Sequence, residues 1–221
     1  MQRRKFLKSS ALSTTLFATG TGGVTAATPL KTTTEKYNYQ LKYAPHLGMF
    51  KHHAGDDPID QLKFMADQGF TAFEDNNMKR RTVEMQEKMA KTMTDLGIEM
   101  GVFVAHKIYW KEPNLASGKE DWRNEFLTQI KESMEVAQRV NAKWMTVVCG
   151  HVDLRQDMGY QTANVVESLK RAAEICEPHG VTMVLEPLNF RDHPGLFLTK
   201  AAQAYQAVSY THLTLPTIYS V

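Results

Sequence analysis

Between Leu41 and Ala207, short apolar runs alternate with longer stretches whose apolar positions recur at helical spacing. That alternation predicts βα units wound into a parallel sheet. The predicted strands are Leu41 to Ala44, Phe70 to Phe73, Glu99 to Val104, Trp144 to Val148 and Thr182 to Leu185, each followed by a polar loop and an amphipathic segment. The predicted helices run near Ile59 to Gln68, Val83 to Leu96, Trp122 to Val140, Ala163 to Glu177 and Thr199 to Ala207. Gly69, Gly97 and Gly180 fall just past three of them, where left-handed backbone closes a helix at little cost. Met85, Met89 and Met93 share one helical face and read as core filler, not as a metal box.

The run Val181 to Leu185 delivers a carboxylate, Glu186, at its carboxyl end, beside Pro187 and Asn189. In a barrel of alternating strands and helices, that end carries the chemistry. The other predicted strands also end in polar groups that a packed core would not request: His46, then Glu74 and Asp75, then His106, then His151 and Asp153, then Glu186 with Asn189 and Arg191. A surface ion pair, or a lone hydrogen-bonded His, accounts for any one of these. Independent surface residues have no reason to favour one end of a sheet, so the set is expected to form one site.

The segments GFTAFEDN (Gly69 to Asn76), GVFVAH (Gly101 to His106) and VLEPLNFRDHPGLFL (Val184 to Leu198) resemble the xylose-isomerase-like TIM barrels, in their hydroxypyruvate isomerase branch. The resemblance covers about Leu41 to Ala207 and is most specific around Glu186. It implies a (β/α)8 barrel, of which about the first five βα units are present. It also implies that Glu186 binds a divalent metal and takes part in proton transfer, with Glu74 at the pocket edge. His46, Glu74, His106, His151, Asn189 and Arg191 are the expected substrate-binding residues.

The implied reaction moves a proton between the carbons of a hydroxy-carbonyl compound or sugar. A metal bridging the two oxygens stabilises the enediolate, and carboxylates act as base and acid. Hard oxygen ligands favour Mg²⁺ or Mn²⁺, while nearby His residues leave room for Zn²⁺ or Co²⁺. A keto-sugar epimerase or a sugar-derivative dehydratase fits the same barrel and the same Glu. A metal-dependent endonuclease would want a His-rich zinc site and a basic groove. A non-catalytic sugar-binding protein is the alternative from another class.

The two ends of the chain read differently from its middle. Arg3-Arg4-Lys5-Phe6-Leu7-Lys8 is a twin-arginine pattern, followed by a mildly apolar stretch to Val24 and small residues at Thr25, Ala26 and Ala27. Residues 1–27 are therefore expected to be a signal that engages the twin-arginine export machinery, giving a periplasmic or extracellular protein with no stable membrane anchor. Residues 28–40 read as a linker. At the other end, VSYTHLTLPT (Val208 to Thr217) is what GTC TCT TAT ACA CAT CTG ACG CTG CCG ACG encodes, and it resembles a transposase sequencing adaptor read in frame. Residues 208–221 are thus expected to be extraneous, residues 41–207 to be a partial barrel, and the chain as written to lack activity.

Charge adds one exclusion. The formal +2 includes Arg3, Arg4, Lys5 and Lys8, so removing the signal leaves −2, which gives no electrostatic case for nucleic-acid binding. The two cysteines, Cys149 and Cys176, have no metal-motif spacing and read as buried, with a disulfide as the alternative in an oxidising compartment.

Overall fold

In the computed structural model of the chain, residues 36–212 are described. The twin-arginine pattern, most of the predicted linker and the segment from Leu213 onward lie outside them.

Four strands form in the described residues: β1 (Ala72–Phe73), β2 (Glu99–Met100), β3 (Trp144–Val147) and β4 (Thr182–Leu185). β1 pairs with β2 in parallel, Phe73 opposite Met100, and β3 pairs with β4 in parallel, Val147 opposite Leu185. Two parallel bridges join these pairs into one consecutive series: His46 to Glu74 ahead of β1, and Val104 to Thr146 between β2 and β3. Five parallel segments thus follow one another in chain order, as βα units require.

The expected strand Leu41 to Ala44 is not one. Its place is held by the single bridge at His46, with Glu74 N–H donating to the Pro45 carbonyl at 3.2 Å. Pro45 has no N–H to give the ladder, and Leu41 is 67% exposed, so nothing extends the pairing backwards. The strand expected over Glu99 to Val104 is likewise cut to two residues and a bridge. At Gly101 the backbone comes so close to the Phe73 carbonyl that a Cβ would stand 3.0 Å from its oxygen.

The helices follow the hydrophobic pattern closely: α1 (Lys51–Ala54), α2 (Pro58–Asp67), α3 (Val83–Leu96), α4 (Glu120–Val140), α5 (Met158–Cys176) and α6 (Ala201–His212). Their ends are chemically marked. Asp57 accepts from Ile59 N–H at 2.7 Å with Pro58 in the first turn, Thr82 accepts from Met85 N–H at 3.3 Å, and Asp157 accepts from Gly159 N–H at 2.7 Å. Gly97 closes α3 with φ at +68°, in the left-handed region. α6 continues five residues past Ala207, through Val208–His212.

Between sheet and helices lies a core rich in thioethers and aromatics: Met65, Met78, Met89, Met145, Phe73, Phe103 and Phe126 are fully buried or nearly so. β3 is buried over its last three residues. β4, which pairs only with β3 among the described residues, alternates exposed and half-buried positions. Both cysteines are buried thiols, with no disulfide between them. Burial pushes Cys149 up to about 12 and Cys176 up to about 11, so neither offers a thiolate at neutral pH. No helix among the described residues is long and apolar enough to cross a membrane.

Candidate active site

A cleft of about 820 Å³ opens at the carboxyl ends of the strands. Three loops and one helix build it. The loop after β1 contributes Asn76, Asn77, Lys79 and Arg80; the segment after β2 contributes His106, Lys107, Ile108 and Trp110; the loop after β4 contributes Glu186, Leu188 and His193; and α4 contributes Gln129 and Glu132.

Glu186 is the first residue beyond β4, its N–H donating to the Val147 carbonyl at 3.2 Å. The side chain is exposed to the cleft and has no hydrogen bond or ion pair among the described residues. The second carboxylate of the lining, Glu132, is committed to Lys79 at 3.1 Å. Lys79 also donates to the carbonyls of Ala105 (3.1 Å) and Gln129 (2.7 Å), and burial lowers its ammonium despite the Glu132 partner. Lys107 donates to the Tyr109 hydroxyl at 3.0 Å, and that hydroxyl bonds Glu125 at 2.8 Å. Arg80 lines the same cleft, and its guanidinium has no ion pair among the described residues. The Trp110 and His193 rings stack at 5.1 Å and tie the loop after β4 to the segment after β2.

His106 is 5% exposed, and both ring nitrogens are engaged by backbone. Nδ1 donates to the Lys107 carbonyl at 2.9 Å, and Nε2 accepts from Val148 N–H at 3.2 Å. This geometry assigns the proton to Nδ1. Burial drives the imidazole down to about 4; the bond to the Lys107 carbonyl opposes the shift and the nearby Lys79 charge adds to it.

Of the expected site residues, only Glu186 and His106 line this cleft. His46 and Glu74 are brought together elsewhere, Nε2 to Oε1 at 2.7 Å, with the pair partly open to solvent. Asp75 is buried against Arg81 at 2.5 Å. His151 bonds its own loop, Nδ1 to the Val152 carbonyl at 2.8 Å, with its ring packed over Gly195 at φ +83°. Asn189 closes a turn, accepting from Arg191 N–H at 3.1 Å and Asp192 N–H at 2.9 Å, and the Arg191 side chain is exposed.

The sequence reading did not single out Lys79, Arg80, Trp110 or His193. Lys79 and Arg80 sit in a run, Met78-Lys-Arg-Arg81, that looks like an ordinary solvated turn, and the Trp110–His193 stack is made by tertiary structure. Among the described residues, no group of three or more His, Cys, Asp or Glu side chains converges to hold a metal ion. The described residues therefore do not compose a metal site by themselves, and Glu186 is the one carboxylate they leave uncommitted in the cleft.

The family model for the xylose isomerase-like TIM barrel matches residues 62–215. No curated protein sequence matches the chain. Among solved structures, a family 2 AP endonuclease from Brucella melitensis superposes with a TM-score of 0.63 at 19% identity, covering 76% of this chain and 64% of its own. D-psicose 3-epimerase from Clostridium cellulolyticum H10, solved with D-tagatose, gives 0.61 at 15% identity, covering 78% and 60%. The IOLI protein with a bound zinc atom gives 0.58 at 17% identity, covering 76% and 59%. The chain thus spans under two thirds of the length of these structures, and at such identities the likeness establishes the barrel fold.

Proposed function

Since this chain belongs to the xylose isomerase-like TIM barrel family, we propose that it serves a sugar-processing enzyme of the hydroxypyruvate isomerase type, moving a proton between neighbouring carbons of a small hydroxy-carbonyl substrate. The observation that carries this reading is the uncommitted carboxylate of Glu186 at the end of β4, facing a cleft large enough for a small sugar. In the proposed step Glu186 accepts the proton from the hydroxyl-bearing carbon beside the carbonyl, and the electron pair moves onto the carbonyl oxygen as the enediolate forms; Glu186 then returns the proton to the former carbonyl carbon, while the hydroxyl proton passes to the other oxygen and the hydroxyl carbon becomes the new carbonyl. A divalent metal belongs to the proposal, Mg²⁺ or Mn²⁺ first and Zn²⁺ or Co²⁺ next, and Glu186 would be one of its ligands.

Arg80 favours an acid over a neutral ketose. Lys79 is held by Glu132 and Lys107 by Tyr109, which leaves the Arg80 guanidinium as the cation of the lining with no such partner among the described residues. Its planar fork matches the two oxygens of a carboxylate. Arg80→Gln is expected to raise KM for hydroxypyruvate about tenfold, the loss of roughly one charge-assisted contact, and to leave KM for a neutral ketose unchanged. Equal effects on both substrates would point to the neutral-sugar epimerase instead. The proposed activity itself is tested in D₂O with hydroxypyruvate and with a ketose, on a protein in which residues 41–207 sit in a complete eight-unit barrel, following deuterium at the carbon beside the carbonyl. Binding of either without any deuterium incorporation would favour the non-catalytic sugar-binding alternative.

Export through the twin-arginine pathway is part of the same proposal and rests on Arg3-Arg4-Lys5-Phe6-Leu7. Replacing Arg3 and Arg4 by Lys should strand the protein in the cytoplasm in a fractionation experiment, and undiminished export would remove the pathway from the proposal.

A further inference from the structure

One peptide unit lies between His106 and Glu186. Its N–H, from Val148, donates to His106 Nε2 at 3.2 Å, and its carbonyl, from Val147, accepts from Glu186 N–H at 3.2 Å. A trans peptide is planar and rigid, and its N–H and C=O point in opposite directions. An imidazole holding one edge of that plane therefore fixes where the other edge can hold a neighbour. From this geometry we infer that His106 is a positioning residue: it sets the place of the Glu186 carboxylate through the Val147–Val148 peptide, without touching substrate with either ring nitrogen. The inference rests on the proton-transfer reading of Glu186.

The imidazole is itself firmly held. Its Nδ1–H is bound to the Lys107 carbonyl, and the Phe126 ring meets it edge-on at 5.0 Å. The carbonyl just before it, that of Ala105, accepts from both Lys79 Nζ and Ser133 Oγ. Lys79 comes from the loop after β1 and Ser133 from α4, so three parts of the fold fix one ring. Glu186, by contrast, is the first residue past the end of β4, where the regular register stops at Leu185. The bond to Val147 is thus the last one that aligns the chain before the loop begins.

The roles of the two ring nitrogens give the test. In His106→Gln, the side-chain carbonyl can accept from Val148 N–H while the amide donates to the Lys107 carbonyl; in His106→Leu, Val148 N–H is left buried with no acceptor. In the full 221-residue chain, amide hydrogen exchange is read by NMR at Glu186, Val148 and the β3 residue Met145 in the parent and both variants. His106→Leu should speed exchange at Glu186 about tenfold relative to Met145, and His106→Gln should restore it. On a substrate that turns over, kcat should fall about tenfold in His106→Leu with KM within about twofold, and recover in His106→Gln. Faster exchange at Val148 with Glu186 unchanged overturns the inference, as does a Gln variant no better than Leu. If the Leu variant fails to fold, the ¹⁵N spectrum of parent His106 decides: a proton on Nε2 overturns the inference, and a proton on Nδ1 with Glu186 protection kept in the Gln variant upholds it. An absence of turnover in a complete-barrel protein would defeat the proton-transfer reading alone, because the exchange readout on this chain needs no substrate.

Discussion

Glu186→Gln is expected to lower the rate of carbon-bound proton exchange by about 10²–10⁴-fold while KM and the thermal midpoint stay close to those of the parent. The substitution preserves size and shape and removes the basic oxygen. Apart from the proposed metal, little else depends on that oxygen: the side chain makes no hydrogen bond or ion pair among the described residues, and the backbone N–H keeps its bond to the Val147 carbonyl. Substrate anchored at Arg80 would still bind, so the loss should fall on kcat. Deuterium incorporation measured beside a melting curve separates the possibilities. Activity within tenfold of the parent would leave the carboxylate without a chemical role, and a large drop in midpoint would make it a structural group.

Acid should destabilise the fold well before its carboxylates titrate, and His106 is the reason. The imidazole takes a proton near 6.5 when the chain is unfolded but only near 4 when folded, because it is buried. Between those values the unfolded state binds the extra proton, so stability falls as pH falls through 6.5 and the loss levels off below about 4. At about 1.4 kcal/mol per unit, the window holds roughly 3 kcal/mol, an upper figure given how buried the ring is. Urea unfolding of the parent and of His106→Gln at several values between pH 7 and pH 4 should show two curves that converge towards acid. Parallel curves would mean that the folded imidazole accepts its proton near the ordinary value.

Where helix ends carry a cap and a glycine, the sequence was legible almost to the residue: Val83 to Leu96 is both the expected and the observed extent of α3. Thr182 to Leu185 was equally plain, since a β-branched run bounded by Gly180 and Pro187 has few other uses. Leu41 to Ala44 misled because apolar composition says nothing of whether a neighbour offers a matching ladder, and Pro45 withholds a donor. Glu186 was legible as a site residue because a carboxylate at a strand end needs no tertiary knowledge to notice. His106 was legible as to place, whereas the occupation of both its nitrogens by Lys107 and Val148 depends on contacts across the sheet. Lys79 was hidden by its composition, a lysine among arginines whose burial comes from α4 folding over it.

The thioether-rich interior has a consequence for how this protein meets oxidants. Among the described residues Met49 and Met158 are 62% and 49% exposed and within reach of peroxide, whereas Met65, Met78, Met89 and Met145 are sealed. A sealed sulfur reacts only as often as the fold opens around it, and the sulfoxide it becomes is too polar to be buried again without penalty. Each opening caught by an oxidant is therefore recorded in the core and opposes reclosure, so that oxidative damage, once it passes exposed methionines such as Met49 and Met158, feeds on itself.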